Sequence, residues 1–117
     1  MLATLGHVLQ ADVVEVAGVP VVQLSGRVDL SSLPTLQNAL VRAISMAIGQ
    51  TVAVDLDGVS GIDDLSLGVI VGAAGRARGS GGDVVVVCND DGLRRRFSIT
   101  RLDRAVDLIE SVTVLSE

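Results

Sequence analysis

The residues with the clearest chemical potential are four aspartates in the middle of the chain: Asp55, Asp57, Asp63 and Asp64. They occur at and just beyond the end of residues 51–56, an apolar run with the length and β-branched content of a buried strand. Open α/β sheets place their ligand sites at the carboxyl ends of such strands. The pattern therefore indicates a place where a ligand could bind.

Three interpretations of this acidic set are open. Residues 54–58, Val-Asp-Leu-Asp-Gly, superficially resemble the opening motif of haloacid-dehalogenase-type phosphotransferases, but such enzymes need further metal ligands spread over a much longer chain. A phospho-aspartate or divalent-metal site of the response-receiver kind would need an assisting lysine, and the chain contains none. The third interpretation is that the aspartates cap turns, with Asp63 or Asp64 accepting hydrogen bonds at the start of a helix.

The composition excludes several classes of function. The formal net charge is -5 and Phe97 is the only aromatic residue, so the chain lacks the positive surface and the stacking side chains that nucleic acid requires. Cys88 has no cysteine to pair with, and together with one histidine it cannot complete an ordinary zinc site. No apolar run reaches the length of a membrane span, and residues 1–7 lack the features of a signal peptide. We expect a single cytoplasmic domain over residues 1–117, with no metal, nucleic acid or membrane bound.

The aspartates are positioned by strands and helices that alternate along the chain, and apolar periodicity predicts where each element lies. Two β-branched segments over residues 8–24, divided at Gly18-Val19-Pro20, predict an antiparallel hairpin. The elements that follow are a polar break at 25–29, a helix from Leu33 to about Gly49, a strand at 51–56, a turn at 57–61, a helix at 65–78, a strand at 83–87, a short helix at 93–98 and a strand at 105–109. The apolar positions Leu36, Leu40, Val41, Ile44 and Ile48 mark the buried face of the first helix. This order predicts an α/β fold in which parallel crossovers follow the hairpin and helices cover the sheet.

Five segments along nearly the whole chain resemble the STAS domains of bacterial anti-sigma-factor antagonists. They are Leu-Ser-Gly-Arg-Val-Asp at 24–29, Val-Asp-Leu-Asp-Gly-Val-Ser-Gly-Ile-Asp at 54–63, Leu-Gly-Val-Ile at 67–70, Gly-Gly at 81–82 and Phe-Ser-Ile-Thr-Arg-Leu at 97–102. Each segment is a weak signal alone, and their order and spacing together are fairly specific. The resemblance implies a STAS-type mixed β-sheet with helices mostly on one face.

The motif at the start of the second long helix departs from the family pattern. In the family it reads Asp-Ser-Ser/Thr-Gly-Leu-Gly, and a cognate anti-sigma factor that is also a kinase phosphorylates the serine after the aspartate. The matching stretch at 63–68 is Asp-Asp-Leu-Ser-Leu-Gly, and its distance from Gly81-Gly82 fits without a gap. Asp64 therefore stands at the phospho-acceptor position and Ser66 at the usual glycine. Ser66 is an alternative phosphosite, although a serine in the first turn of a helix more often has a capping role.

The resemblance implies a non-enzymatic antagonist that binds a kinase-type anti-sigma factor of the same organism and so releases a sigma factor. The residues that it places at the contact are Asp29, Asp63, Asp64, Leu65, Ser66 and Leu67. No cofactor is expected, because the kinase would bring its own ATP and Mg²⁺. Arg94, Arg95 and Arg96 are interpreted as a solvated helix face that could flank an acidic partner.

The consequence of an aspartate at position 64 is left open by the resemblance. Phosphoserine carries about -1.5 to -2 charges and Asp64 only one, so Asp64 imitates phosphorylation only in part. The chain is then either a constitutively weak antagonist or one retuned for a partner that accepts Asp64. Two other functions are alternatives: a scaffold subunit of a sensory assembly, and a module that senses a small ligand or nucleotide.

Overall fold

The computed structural model describes residues 8–116. Residues 1–7 and residue 117 lie outside the described residues. The first of these segments is the one for which the sequence predicts no signal peptide. The strands are β1 (Gln10–Val16), β2 (Val19–Val28), β3 (Thr51–Ile62), β4 (Asp83–Val87) and β5 (Asp107–Ile109), and the helices are α1 (Leu33–Met46), α2 (Asp64–Gly79) and α3 (Asp91–Ile99). Short 3-10 turns follow β2 at Leu30–Ser32, α3 at Leu102–Arg104 and β5 at Val112–Ser116.

The five strands form one mixed sheet in the order β1-β2-β3-β4-β5. β1 and β2 are antiparallel, and the other three neighbouring pairs are parallel. Each parallel connection contains one helix: α1 joins β2 to β3, α2 joins β3 to β4, and α3 joins β4 to β5. The predicted α/β sheet, with an opening hairpin followed by parallel crossovers, is confirmed.

The turn of the hairpin lies one residue earlier than predicted. Val16 pairs with Val19, so the loop consists of Ala17 and Gly18, and Pro20 already belongs to β2. Both loop residues have positive φ, 52° at Ala17 and 79° at Gly18. A two-residue turn with positive φ at both positions matches the right-handed twist of the strands that it joins.

β2 and β3 extend further than predicted, and this correction determines where the site lies. The polar segments at 25–28 and 57–61 were expected to be a break and a turn, but β2 continues to Val28 and β3 to Ile62, where the two residues pair. Their register shifts twice, because β3 has one extra residue opposite 23–25 and another opposite 26–27. Such bulges keep a glycine-rich segment within a strand while bending it. The ends of β2 and β3 therefore run side by side beyond Asp55, where the pairing of β3 with β4 stops.

The three helices pack against one face of the sheet, as the resemblance implied. Their buried side chains and those of the facing strands form one apolar cluster, and Phe97 of α3, Leu36 of α1 and Ile70 of α2 are completely buried in it. The opposite face carries a smaller cluster that is covered by Val112 of the last 3-10 turn and otherwise contains Val21, Ala53, Val85 and Val87. Among residues 8–116, no helix is long and apolar enough to cross a bilayer.

The buried face of α1 differs from the prediction at two positions. Val41, which the helical spacing had assigned to the apolar face, is 55% exposed, and Ile48, which is 68% exposed, lies beyond α1 because the helix ends at Met46 rather than near Gly49. Ala39 and Ala43 are buried in their place. Together with Leu36 and Leu40 they form a buried stripe at the spacing i, i+3, i+4, i+7, which a count of large apolar residues alone does not identify.

Candidate functional site

The candidate site lies where β2 and β3 end. The backbone N–H of Asp63, one residue past β3, donates to the carbonyl of Val28, the last residue of β2, over 3.1 Å. The loop after β2 and the first turn of α2 therefore begin next to each other. This contact brings the Asp29 loop beside the start of α2, as the family resemblance implied.

Asp29 organises the 3-10 turn that follows β2. Its Oδ1 accepts hydrogen bonds from the hydroxyl of Ser31 at 2.6 Å and from the backbone N–H of Ser31 at 3.0 Å. In return, the Oγ of Ser32 accepts from the backbone N–H of Asp29 at 3.0 Å, which completes a capping box. The Nε of Arg27 lies 3.3 Å from Oδ2. The Ser31 hydroxyl is the largest of the contacts that lower the pKa of Asp29, and Arg27 adds to the effect.

Asp63 is the N-cap of α2. Its Oδ1 accepts from the backbone N–H of Ser66 at 2.8 Å, which satisfies one of the free N–H groups of the first turn. The pKa of Asp63 is lowered, first by the nearby hydroxyl of Ser66 and next by its N–H, while the neighbouring carboxylate of Asp29 opposes the shift. Lowered pKa values mean that Asp29 and Asp63 stabilise the fold above the ordinary pKa of aspartate, and that this contribution is lost as the pH falls through the lowered values.

Asp64 is the first residue of α2, and its side chain is 79% exposed. Its Oδ1 lies 2.7 Å from Nη2 of Arg96, which reaches across from α3. The Nη1 of the same guanidinium donates to the carbonyl of Ile62, the last residue of β3, at 2.6 Å. Arg96 therefore joins the end of the sheet to residue 64, at the start of α2.

The next three residues of α2 divide between the surface and the core. Leu65 is 54% exposed, whereas Ser66 and Leu67 are completely buried. Of the six residues assigned to the contact, the structure therefore brings Asp29, Asp63, Asp64 and Leu65 together at one edge, and it turns Ser66 and Leu67 into the core. The buried Ser66 hydroxyl is out of reach of a kinase in this conformation, which argues against Ser66 as an alternative phosphosite.

The Ser66 hydroxyl provides a test of how this first turn is held together. Its Oγ is buried and makes no hydrogen bond of acceptable geometry with any described residue, although it lies close enough to Asp63 to affect that carboxyl. A buried polar group without a partner is costly, so Ser66→Ala should leave the free energy of unfolding unchanged or raise it by up to about 1 kcal/mol. Urea denaturation would measure the change.

Ser98→Ala is the matched control, because Ser98 is an exposed serine in α3 and shares the change in helix propensity. Its effect should stay within about 0.5 kcal/mol. A loss of more than about 1 kcal/mol in Ser66→Ala alone would show that the Ser66 hydroxyl forms a stabilising bond with Asp63.

The four aspartates of the central acidic set do not form one site. Asp55 and Asp57 lie within β3, and Asp63 follows six residues after Asp57, up to roughly 20 Å along an extended chain. Asp57 accepts from the backbone N–H of Asn89 at 2.9 Å and from its Nδ2 at 2.7 Å, which ties β3 to the loop after β4. Within residues 8–116, no group of three or more His, Cys, Asp or Glu side chains is arranged to hold a metal ion. Of the three interpretations, capping describes Asp63.

Arg96 is the residue of the candidate site that sequence reasoning missed. The run at 94–96 was interpreted as a solvated face, but Arg94 donates from Nε to the carbonyl of Cys88 at 2.7 Å and Arg96 makes the two contacts described above. Only Arg95 of the three is exposed. The sequence did contain a signal for this. Leu93 and Phe97 are apolar residues four positions apart on one face of α3, and both are buried, so the arginines next to them in sequence lie near the sheet.

The family model for the STAS domain matches residues 10–114. The chain is similar in structure to an anti-sigma factor antagonist from Mycobacterium paratuberculosis, with 22% identity, a TM-score of 0.80, and 92% of this chain and 90% of that chain covered. It is also similar to the phosphorylated form of the Bacillus cell fate determinant SpoIIAA, with 15% identity, a TM-score of 0.66, and 93% and 97% covered. A third likeness is to the murine anion transporter Slc26a9, with 12% identity, a TM-score of 0.74, and 96% of this chain but 22% of that chain covered.

These likenesses establish the fold, and the family model establishes the family: the chain belongs to the STAS domain family. A comparison with curated protein sequences finds no significant match. The likenesses include an anti-sigma factor antagonist that is matched over 90% of its chain and an anion transporter that is matched over 22% of its chain. The function therefore has to be argued from the residues of the site.

Proposed function

We propose that this protein is an anti-sigma-factor antagonist, which binds a kinase-type anti-sigma factor and thereby frees a sigma factor. The contact surface is the edge formed by Asp29, Asp63, Asp64 and Leu65. Ser66 and Leu67 support this surface from within the core, where they fix the first turn of α2. The protein acts as a ligand of the kinase rather than as an enzyme, in the cytoplasm, where bacterial transcription takes place.

The observation that carries this proposal is the position of residue 64. It lies on the surface at the first turn of α2, next to the Asp29 loop, in a chain whose fold matches an anti-sigma factor antagonist along most of its length. Asp29 and Asp63 have their hydrogen-bonding capacity directed to the backbone of the turns that they cap. They therefore shape the surface, whereas Asp64 and Leu65 are its outward-facing side chains.

The usual serine switch is absent from this surface. A serine kinase transfers phosphate to a hydroxyl, and position 64 carries a carboxylate. Regulation by phosphorylation at this position is therefore lost or altered. The level of the free antagonist, or the choice of partner, then decides how much sigma factor is released.

A binding and release experiment tests the proposal. Each kinase-type anti-sigma factor encoded by the same organism is preassembled with its sigma factor, and the chain is titrated into the complex in a calorimeter, followed by size-exclusion chromatography. We expect saturable binding to one of these factors with release of the sigma factor. Failure to bind any of them, or binding without release, would contradict the antagonist function. A discrete large oligomer in the same chromatography would instead favour a scaffold subunit.

A further inference from the structure

Two leucines stand out on the candidate contact surface because they are exposed and lie on either side of Asp63. Leu30 is 68% exposed in the 3-10 turn after β2, and Leu65 is 54% exposed in the first turn of α2. The backbone N–H of Asp63 donates to the carbonyl of Val28 over 3.1 Å; Leu30 follows Val28 by two residues, and Leu65 follows Asp63 by two. Both therefore flank the point where the two loops meet.

The exposed carboxylates of this surface are paired within the chain. Arg27 lies 3.3 Å from Asp29, and Arg96 lies 2.7 Å from Asp64. Each leucine directly follows one of these paired aspartates in sequence. The third carboxylate of the edge, Asp63, has no counter-charge among the described residues but accepts from the backbone N–H of Ser66 at the helix start. Although the chain carries a net charge of -5, the edge that holds the two leucines therefore presents two ion pairs and one capping carboxylate.

We propose that Leu30 and Leu65 are the anchors of the contact and that they dock into an apolar, uncharged pocket on the anti-sigma factor. This inference rests on the proposed function and specifies the partner's surface. Interface anchors are usually aromatic or arginine side chains, but this chain has no Tyr or Trp and its one Phe is completely buried. Exposed leucines are thus among the largest apolar groups that the surface can offer.

The ion pairs lower the free-energy cost of burying this surface against an apolar pocket. A carboxylate that is covered by a partner without a counter-charge loses its hydration at high cost, whereas a paired carboxylate loses less. Arg96 is well suited to this task because its second nitrogen is held by the carbonyl of Ile62, so the guanidinium is in place before the partner arrives. The partner then needs no cation opposite Asp64.

The first arm of the test replaces the anchors. Leu30→Gln and Leu65→Gln should each weaken binding to the anti-sigma factor by at least tenfold in calorimetry, about 1.4 kcal/mol, since loss of an anchor side chain typically costs more than this. Met46→Gln is the matched control: Met46 is 70% exposed at the other end of α1, roughly 20 Å from its start. Its affinity should equal that of the parent. Circular dichroism confirms that all variants are folded.

The second arm removes the counter-charge. Arg96→Gln should weaken binding at least fivefold, because it leaves Asp64 unpaired, and the double variant Arg96→Gln with Asp64→Asn should regain most of the loss. Arg95→Gln makes the same change in net charge on the exposed side of α3 and should bind like the parent. Recovery in the double variant distinguishes loss of charge pairing from loss of the hydrogen bond to Ile62.

The outcomes separate the two proposals. If the parent binds and releases sigma factor but the leucine variants bind equally well, the anchor assignment is wrong and the antagonist function stands. The assignment is also wrong if Met46→Gln weakens binding as much as they do, or if Arg96→Gln binds as tightly as the parent. If the parent binds no anti-sigma factor, the antagonist function fails and the anchor assignment fails with it.

Discussion

Asp64→Ser is expected to acquire one phosphate when it is incubated with the cognate kinase-type anti-sigma factor and ATP, whereas the parent acquires none. Position 64 is at the first turn of α2 and its side chain is 79% exposed, so a serine there would be accessible to a kinase. Phosphorylation should weaken binding at least tenfold, about 1.4 kcal/mol. Intact-mass spectrometry and calorimetry before and after ATP measure the two effects.

The physical reason for the weakening is the balance of charge at Arg96. One arginine neutralises the single charge of Asp64, but phosphoserine carries about -1.5 to -2 charges, and the excess remains on the surface. Before ATP is added, Asp64→Ser should bind within about threefold of the parent. The serine leaves Arg96 without its counter-charge, but the weakly hydrated guanidinium is still held by the carbonyl of Ile62, and an exposed ion pair is worth only about 0–1 kcal/mol. A serine variant that binds at least tenfold tighter than the parent would instead identify Asp64 as a built-in imitation of phosphoserine.

Asp64→Ala is the control for the site of modification and should stay unmodified. The phosphopeptide from Asp64→Ser should map to residue 64 and not to Ser66, whose hydroxyl is buried. Phosphate on Ser66 in the parent would show that the first turn of α2 opens in the complex. Absence of phosphate from the serine variant, in a complex that does form, would contradict the assignment of position 64.

Phe97→Ala is expected to lower the free energy of unfolding by about 3–5 kcal/mol, as found for the truncation of buried aromatic residues. Phe97 is the largest of the completely buried side chains, and it belongs to the cluster that joins the three helices to the sheet. Its removal leaves a cavity that aliphatic neighbours fill only partly. A loss of this size is a large part of the stability of an ordinary domain. Urea denaturation followed by circular dichroism would measure it.

Ile99→Ala is the matched control, since Ile99 is in the same helix and 73% exposed. It should change the free energy of unfolding by no more than about 0.5 kcal/mol. A similar loss in both variants would mean that α3 contributes through its helical stability rather than through the packing of Phe97. A loss below about 1 kcal/mol in Phe97→Ala would show that the core collapses around the missing ring.

The strands and helices with a strong apolar periodicity were predictable from sequence. The valine run of β4 and the Gly81-Gly82 pair before it leave little alternative to a strand. Of the apolar positions that the sequence predicts for the buried face of α2, Leu67, Ile70 and Ala74 are buried and Val71 is half-buried. The mixed sheet then follows from the order of elements, because parallel neighbours need crossover connections. The resemblance carried the prediction further, to the position of residue 64.

The ends of β2 and β3 were not predictable from local pattern. Gly58 and Gly61 read as turn residues, yet they lie in a strand because β2 pairs beside them and two bulges absorb the extra residues. At Gly58 a Cβ would lie 2.9 Å from the carbonyl oxygen of Leu24, so the glycine serves close backbone approach rather than a turn. The contact between Arg96 and Asp64 joins residues 32 apart in sequence, and no periodic signal reports such a pair.

The presence of Phe97 as the only aromatic residue has a practical consequence for optical spectroscopy. With no tryptophan or tyrosine, the chain has almost no absorbance at the wavelengths used to excite protein fluorescence. A single tryptophan introduced at position 65 would therefore be the only emitter in the protein. The wavelength and intensity of its emission would change when that side chain moves from water into a partner. The rate of docking could then be measured in a stopped-flow instrument without a chemical label.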